Sequence, residues 1–210
     1  MNNMTTFEED VLECYYISLG YLTLKNHIFS ASKKRDGGEG RGEIDLLAVK
    51  LNQDSEIEDV AVFEIKFSIT SPYPWEDSVK QLIKKFIKQD IEKAIVKIVG
   101  KNVDFKFYFA VGIFNSTTKQ NLIKKLNREI PGKYKLDDIN DQSKPYEKYR
   151  LLLTARNIED EEKTAQITII NFQEMHKFIL RYFKKKELYK KGYTDSRFRS
   201  IAHYSSIFDL

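Results

Sequence analysis

Cysteine is nearly absent from this sequence, and that absence excludes two ways of stabilising a fold. The single cysteine, Cys14, cannot form an intrachain disulfide, and there is no cysteine cluster that could bind zinc. Cys14 lies beside Tyr15 and Tyr16 in a stretch with helical spacing, where we interpret it as a buried structural thiol rather than a nucleophile. The fold must therefore be held together without disulfide bonds.

Long apolar runs are also missing. No run approaches the ~18 residues that a membrane span requires, and the N-terminal residues lack the basic and then apolar pattern of a signal peptide. The sequence shows no internal repeat and no low-complexity linker. We therefore expect a cytoplasmic protein with no membrane partner, forming one domain over residues 1–210.

The composition that remains is typical of a globular protein. Hydrophobic residues make up 41% of the chain, and fourteen Phe and twelve Tyr can fill a substantial core. The net charge of +4 is too small to demonstrate nucleic-acid binding, although it does not oppose such binding. The basic residues are concentrated in two segments, a glycine-rich loop over residues 33–41 and a C-terminal region over residues 176–199.

Hydrophobic periodicity predicts the order of helices and strands. A first helix is expected over Phe7–Leu19, because Thr6 can cap it, acidic residues follow in the first turn and Gly20 ends it. A mobile loop is expected over Ser32–Gly42. The other predicted elements are strands over Tyr21–Ala31, Glu43–Leu51, Val60–Ile69, Phe105–Phe114, Tyr149–Thr154 and Ala165–Ile170, and helices over Trp75–Val99, Thr117–Ile130 and Phe172–Lys190. This order predicts an α/β fold with helices covering a central sheet.

The second and third strands form a predicted hairpin that places charges in apolar surroundings. Alternation puts Glu64 and Lys66 on one face, and pairing within the hairpin can bring Asp45 beside Glu64. An unpaired buried charge costs several kcal/mol, which a divalent cation would offset. Mg²⁺ prefers oxygen ligands at ~2.0–2.1 Å, usually one or two carboxylates with waters and a phosphate oxygen. Asp45, Glu64 and the carbonyl of Ile65 suit such a cation, and Lys66 could orient the attacking water.

These residues resemble the PD-(D/E)xK nuclease superfamily, which includes restriction endonucleases, Holliday-junction resolvases and methyl-directed restriction enzymes. The resemblance rests on Glu9 in the first helix, on Gly-Glu-Ile-Asp ending at Asp45, and on Phe-Glu-Ile-Lys ending at Lys66. The opening helix with its Leu-Gly-Tyr ending is similar to that of the last two groups and favours Glu9 over Glu8. The sequence departs from the family at Ile44, where a proline is usual, and it lacks the Gln-then-Tyr helix motif of the RecB-like branch.

The resemblance covers roughly Phe7 to Phe114 and implies both a fold and an activity. The implied fold is a restriction endonuclease-like three-layer αβββαβ core, a mixed central sheet flanked by helices, over about residues 7–130. A C-terminal α/β extension follows over about 131–210. The implied activity is Mg²⁺- or Mn²⁺-dependent endonucleolytic hydrolysis of DNA in restriction, repair or junction resolution, with RNA a less favoured substrate and a homodimer as one arrangement.

Particular residues follow from that resemblance and from the charge distribution. The catalytic set would be Glu9, Asp45, Glu64 and Lys66, and the metal ligands would be Asp45, Glu64, Ile65 and Glu9. The two basic segments supply the expected DNA contacts, which are Lys33, Lys34, Arg35, Arg41, Lys184 and Lys185.

Simpler interpretations of the same residues stay open. Glu9 could serve only the helix dipole, and Glu64 with Lys66 could be a surface cross-strand pair. Glu43 could be an extra ligand or a solvated strand end. The acid-x-Lys pattern alone has little specificity, since residues 104–106 and 161–163 also match it. The chain could also keep a nuclease fold without turnover and act as a nucleic-acid-binding or scaffold module.

Overall fold

One mixed sheet of seven strands organises the protein in a computed structural model that describes residues 7–31, 40–66, 90–112, 115–130, 132–156 and 162–186. Four helices accompany the sheet in these ranges, and none of them is long and apolar enough to cross a membrane. The elements in chain order are α1 (Phe7–Ser18), β1 (Tyr21–Ala31), β2 (Gly40–Leu51), β3 (Ile57–Lys66), α2 (Asp90–Val99), β4 (Lys106–Val111), α3 (Ser116–Glu129), β5 (Tyr134–Asp138), β6 (Glu147–Arg156), β7 (Glu162–Asn171) and α4 (Phe172–Lys185).

The α/β class and the predicted hairpin of β2 and β3 are confirmed. Two differences from the predicted elements concern strands. Residues 40–42 belong to β2, although the loop was expected to continue to Gly42, and the structure adds β5, which the pattern did not predict. The part of the expected helix over residues 75–89, including Trp75, lies outside the described ranges.

The strand order is β1-β2-β3-β4-β7-β6-β5. Neighbours pair antiparallel from β1 to β3, parallel through β3, β4 and β7, and antiparallel again through β6 and β5. Strands β1 and β5 form the two edges of the sheet in the described part of the chain. Strand β4 lies at the centre with five consecutive buried residues, as expected for a parallel strand that is covered on both faces.

Two apolar clusters cover the two faces of the sheet. Helices α1 and α4 contribute to the first cluster, in which Phe63 of β3 stacks on Tyr108 of β4 with ring centroids 4.8 Å apart. Helices α2 and α3 contribute to the second cluster, which contains Val62 and Phe109. Successive side chains of β3 alternate between the two clusters, so the position of a residue along β3 determines the face of the sheet to which its side chain points. Cys14 is fully buried in the first cluster, as predicted.

Candidate active site at the end of the hairpin

The backbone pairing of β2 with β3 ends at Leu46 and Phe63, one position before Asp45 would face Glu64. There the carboxylate of Asp45 replaces a backbone carbonyl as the hydrogen-bond acceptor. Its Oδ2 atom accepts a hydrogen bond from the Ile65 N–H at 2.6 Å. Asp45 is buried, with 7% of the residue exposed. Asp45 therefore lies against the peptide that joins Glu64 to Ile65, which brings together two of the predicted site positions.

Glu64 is a buried carboxylate with 3% of its surface exposed. It pairs in parallel with Phe109, which belongs to the cluster formed with α2 and α3, so the side chain of Glu64 points to that face of the sheet. Its neighbours Phe63 and Ile65 belong to the opposite cluster. The structure describes only the backbone of Lys66, at the end of β3 opposite Val111, so the position of its amine stays a prediction.

A backbone irregularity in β1 lies opposite Asp45. Asn26 has a φ of 51° and falls between the paired positions Lys25–Leu46 and His27–Ile44. On β2, Ile44 joins the cluster with α2 and α3, whereas Leu46 joins the one with α1 and α4, although strict alternation would place both on one face. Asparagine is one of the few residues that adopt left-handed backbone readily. We conclude that the alternation of β2 is interrupted at Asp45.

Glu9 on α1 contacts Asn26, the residue of β1 that lies opposite Asp45. The Asn26 side-chain amide donates to Glu9 Oε2 at 3.5 Å, so Glu9 contacts the residue that faces Asp45 across the β1–β2 pair. Helix α1, however, covers the face of the sheet opposite to the one that Glu64 shares with Phe109. Within the described ranges, no group of three or more His, Cys, Asp or Glu side chains has the geometry to hold a metal.

Helix α1 is fixed to β1 by a salt-bridge cluster that sequence reasoning missed. Lys25 Nζ contacts Asp10 Oδ1 at 2.5 Å and Glu13 Oε2 at 2.9 Å, and the Thr23 hydroxyl donates to Glu13 Oε1 at 3.1 Å. Burial lowers the pKa of Lys25, but its hydrogen bonds to Asp10 and Glu13 outweigh burial and leave the pKa raised. The sole sequence signal was one lysine in an otherwise uncharged strand. Because Lys25 precedes Asn26, this cluster positions the segment that holds Glu9.

Gly42 opens the Gly-Glu-Ile-Asp segment, and packing explains the glycine. The Phe29 ring of β1 covers it, and a β-carbon at residue 42 would lie 2.3 Å from Phe29 Cζ. The backbone at Gly42 therefore lies close against a buried aromatic ring.

The predicted DNA-contacting residues Lys184 and Lys185 are exposed near the end of α4, away from Asp45. Helix α4 follows Asn171, which lies in one row of the sheet with Val111 and Lys66. Helix α4 is fourteen residues long, about 21 Å along its axis, and Tyr182 in its last turn contacts Tyr15 of α1. Lys33, Lys34 and Arg35 lie outside the described ranges, and only the backbone of Arg41 is described.

The fold and this geometry define an open α/β sheet with two buried carboxylates at the end of an antiparallel hairpin. Comparison of the chain with protein-family models, with curated proteins and with solved structures gave no match.

Proposed function

We propose that the protein is a metal-dependent endonuclease that hydrolyses phosphodiester bonds of DNA, as PD-(D/E)xK nucleases do. The observation that carries this proposal is the contact of the Asp45 carboxylate with the peptide that follows Glu64, with both carboxylates buried. The order α1-β1-β2-β3-α2-β4 also agrees with the αβββαβ order of that superfamily. Both carboxylates are buried at the end of two apolar strands, which favours a functional interpretation over a surface pair.

The donor chemistry of the hairpin end fits Mg²⁺. This cation is usually held by one or two carboxylates and completes its shell with other oxygens, and Asp45, Glu64 and the Ile65 carbonyl provide such a set. In this proposal Glu9, which accepts a hydrogen bond from Asn26, contributes directly or through water. When bound, the cation would polarise the scissile phosphate and lower the pKa of a coordinated water.

The chain's own residues would prepare that site. The hydrogen bond from the Ile65 N–H fixes the orientation of the Asp45 carboxylate before any ligand arrives. Burial of Asp45 and Glu64 excludes water and strengthens the electrostatic interactions of both carboxylates. Lys66 would orient the attacking water and stabilise the negative charge that develops on the phosphate.

The expected substrate is DNA rather than RNA, encountered in the cytoplasm. Lys33, Lys34, Arg35 and Arg41 would contact its backbone before the hairpin, and Lys184 and Lys185 would contact it at the end of α4. A homodimer would allow each active site to cut one strand of a duplex.

One observation favours a second candidate, a nucleic-acid-binding or scaffold module that keeps the fold without turnover. Glu9 and Glu64 are assigned to opposite faces of the sheet, so an acidic triad needs Glu9 to act through Asn26 or water. Calorimetric titration with Mn²⁺ separates the two candidates. Binding that Glu64→Gln abolishes supports the enzyme, whereas no binding to the wild type supports the module.

Cleavage assays test the proposal directly. Purified protein with Mg²⁺ or Mn²⁺ should cut at least one of linear, branched and methylated duplexes, and Glu64→Gln and Lys66→Ala should each abolish cutting. Asp104-Phe105-Lys106 provides a matched control, because it repeats the acid-x-Lys pattern with an exposed Asp104 at the other end of β4. Asp104→Asn and Lys106→Ala should cut like the wild type. Intact DNA in all assays, or full cutting by Lys66→Ala, would overturn the proposal.

A further inference from the structure

Helix α4 and its C-cap Lys186 form a strongly basic segment. Residues 172–186 contain five basic and one acidic side chain. This excess equals the +4 net charge of the whole chain, so the other residues have equal numbers of basic and acidic side chains. A charge excess of this kind on one element differs from a mixed solvated surface, where both signs are interspersed.

The cations of α4 lie on its outer face. The inner face packs in the core through Phe172, Met175, Ile179, Leu180 and Phe183. The exposed basic side chains, which we name the α4 row, are Lys177, Arg181, Lys184, Lys185 and Lys186. Steps of four residues correspond to about 6 Å along a helix, so Lys177, Arg181 and Lys185 span about 12 Å.

No acid neutralises the α4 row within the described part of the chain. The one carboxylate of the helix, Glu174, is ion-paired with Lys148 of β6. None of the five cations has an ion-pair partner among the described residues. The helix holds Lys177, Arg181, Lys184 and Lys185 on one side. Like charges placed this way repel one another, and binding of a polyanion would relieve that repulsion.

We propose that the α4 row docks the phosphate backbone of a DNA duplex without reading its sequence. The choice of DNA rests on the proposed function, whereas the docking itself rests on the charge and shape of α4. The helix begins in line with Lys66, so a duplex lying along it extends from that end of the sheet. At about 3.4 Å per base pair, the ~21 Å length of α4 corresponds to about six base pairs.

A membrane surface fits these observations less well. Amphipathic helices that bind at membranes insert their apolar face, and the apolar face of α4 is already buried against the sheet. Phosphates along a nucleic-acid backbone, in contrast, form a linear series of charges that a straight row of lysine and arginine can follow. Such contacts release counterions and make binding strongly dependent on salt.

Binding measured in EDTA tests the docking surface without hydrolysis. The α4 variant combines Lys177→Gln, Arg181→Gln and Lys184→Gln, and the control combines Lys93→Gln, Lys97→Gln and Lys101→Gln. The control residues are equally exposed and lie on or just after α2, on the opposite face, so both variants lose the same charge. Circular dichroism melting curves establish that both variants are folded. The probe is a fluorescent duplex of roughly 20 base pairs, titrated at several salt concentrations.

The α4 variant should bind at least about tenfold more weakly near 0.1 M salt, and its log–log salt slope should fall by about 2.7 for three lost contacts. The control variant should retain nearly the slope of the wild type. Equal losses in both variants, or no loss in the α4 variant, would overturn the inference. Vesicles containing phosphatidylserine provide the other arm, and a loss of vesicle binding without a loss of DNA binding would assign α4 to a membrane instead.

Failure of this inference can be distinguished from failure of the proposed function. If the wild type binds the duplex through α4 in EDTA but never cuts DNA with Mg²⁺ or Mn²⁺, the docking surface is supported and the nuclease activity is refuted. If the wild type cuts DNA and the α4 variant binds and cuts equally well, the nuclease activity is supported and the docking surface is refuted.

Discussion

The backbone N–H of Ile65 donates to Asp45 Oδ2 at 2.6 Å, in the place where the backbone pairing of β2 and β3 stops. A side chain thus completes the hydrogen bonding of β3 at the hairpin end. Asp45 has a structural role that the fold itself requires, and the proposed role in holding a metal is additional to it. Substitutions at this position can separate the two roles.

Asp45→Ala should destabilise the protein, because the buried Ile65 N–H loses its acceptor. The expected loss is about 1–3 kcal/mol in the free energy of unfolding, measured by urea denaturation. Asp45→Asn keeps an acceptor oxygen and should lose less stability, yet it should abolish Mn²⁺ binding in calorimetry because the charge is gone. An Asn variant that is as unstable as the Ala variant, or that binds Mn²⁺ like the wild type, would contradict this assignment.

Asn26 should be sensitive to the backbone conformation that its substitute can adopt. A β-branched residue at a φ of 51° is strained, so Asn26→Val should cost about 1–2 kcal/mol, whereas Asn26→Gly should cost less. The other described non-glycine residue with positive φ, Ser55, lies in the hairpin turn and provides the control. Ser55→Val should lower stability similarly without reducing DNA cleavage. Equal cleavage of DNA by the two Val variants would show that Asn26 has no role in the active site.

Lys25→Met should be markedly destabilising, because it leaves Asp10 and Glu13 without their shared cation. Removal of one partner from a fully buried pair costs roughly 3–5 kcal/mol, and the partial exposure of Asp10 places this case at or below the lower end. Lys50→Met removes the partner of an exposed Glu58 and should cost at most about 1 kcal/mol. Urea denaturation of the two variants makes the comparison, and equal losses would refute the positioning role of the Lys25 cluster.

Stability should fall on acidification in part through Asp59. Burial raises the pKa of Asp59, but hydrogen bonds from Lys106 and the Tyr21 hydroxyl outweigh burial and leave the pKa lowered. A lowered carboxyl pKa contributes stability above the unfolded value of about 3.9, and that contribution is lost as the pH falls through the folded value. Asp59→Asn should therefore show a shallower loss of stability below about pH 4 in urea midpoints. An unchanged pH dependence would show that Asp59 makes no such contribution.

Much of the fold could be predicted because its signals are local. The apolar spacing of α1 and the glycine after it gave the helix and its end, and Gly20 indeed has a φ of 87°. Strand β5 was missed because it has five residues, three of them charged, and lies at the sheet edge, where little apolar alternation is required. The order of the strands and the division of the helices between two faces depend on contacts between distant residues, which no local pattern encodes.

The candidate site shows the same division between local and distant signals. Hairpin spacing predicted that Asp45 and Glu64 would approach, and the observed register ends one position from that pair. Three features of the site could not be predicted, since each depends on tertiary packing. They are the hydrogen bond from Ile65 to Asp45, the left-handed backbone of Asn26, and the salt bridges of Lys25 with Asp10 and Glu13. The convergence of Lys66 with the two carboxylates stays a prediction.

The most direct test of the central claim is a crystal of the protein soaked in Mn²⁺ and examined for anomalous density. The account predicts one peak within bonding distance of carboxylate oxygens of both Asp45 and Glu64, absent from crystals of Glu64→Gln. Density confined to other acidic residues, or none at any Mn²⁺ concentration that the crystals tolerate, would contradict a shared cation at the end of the hairpin.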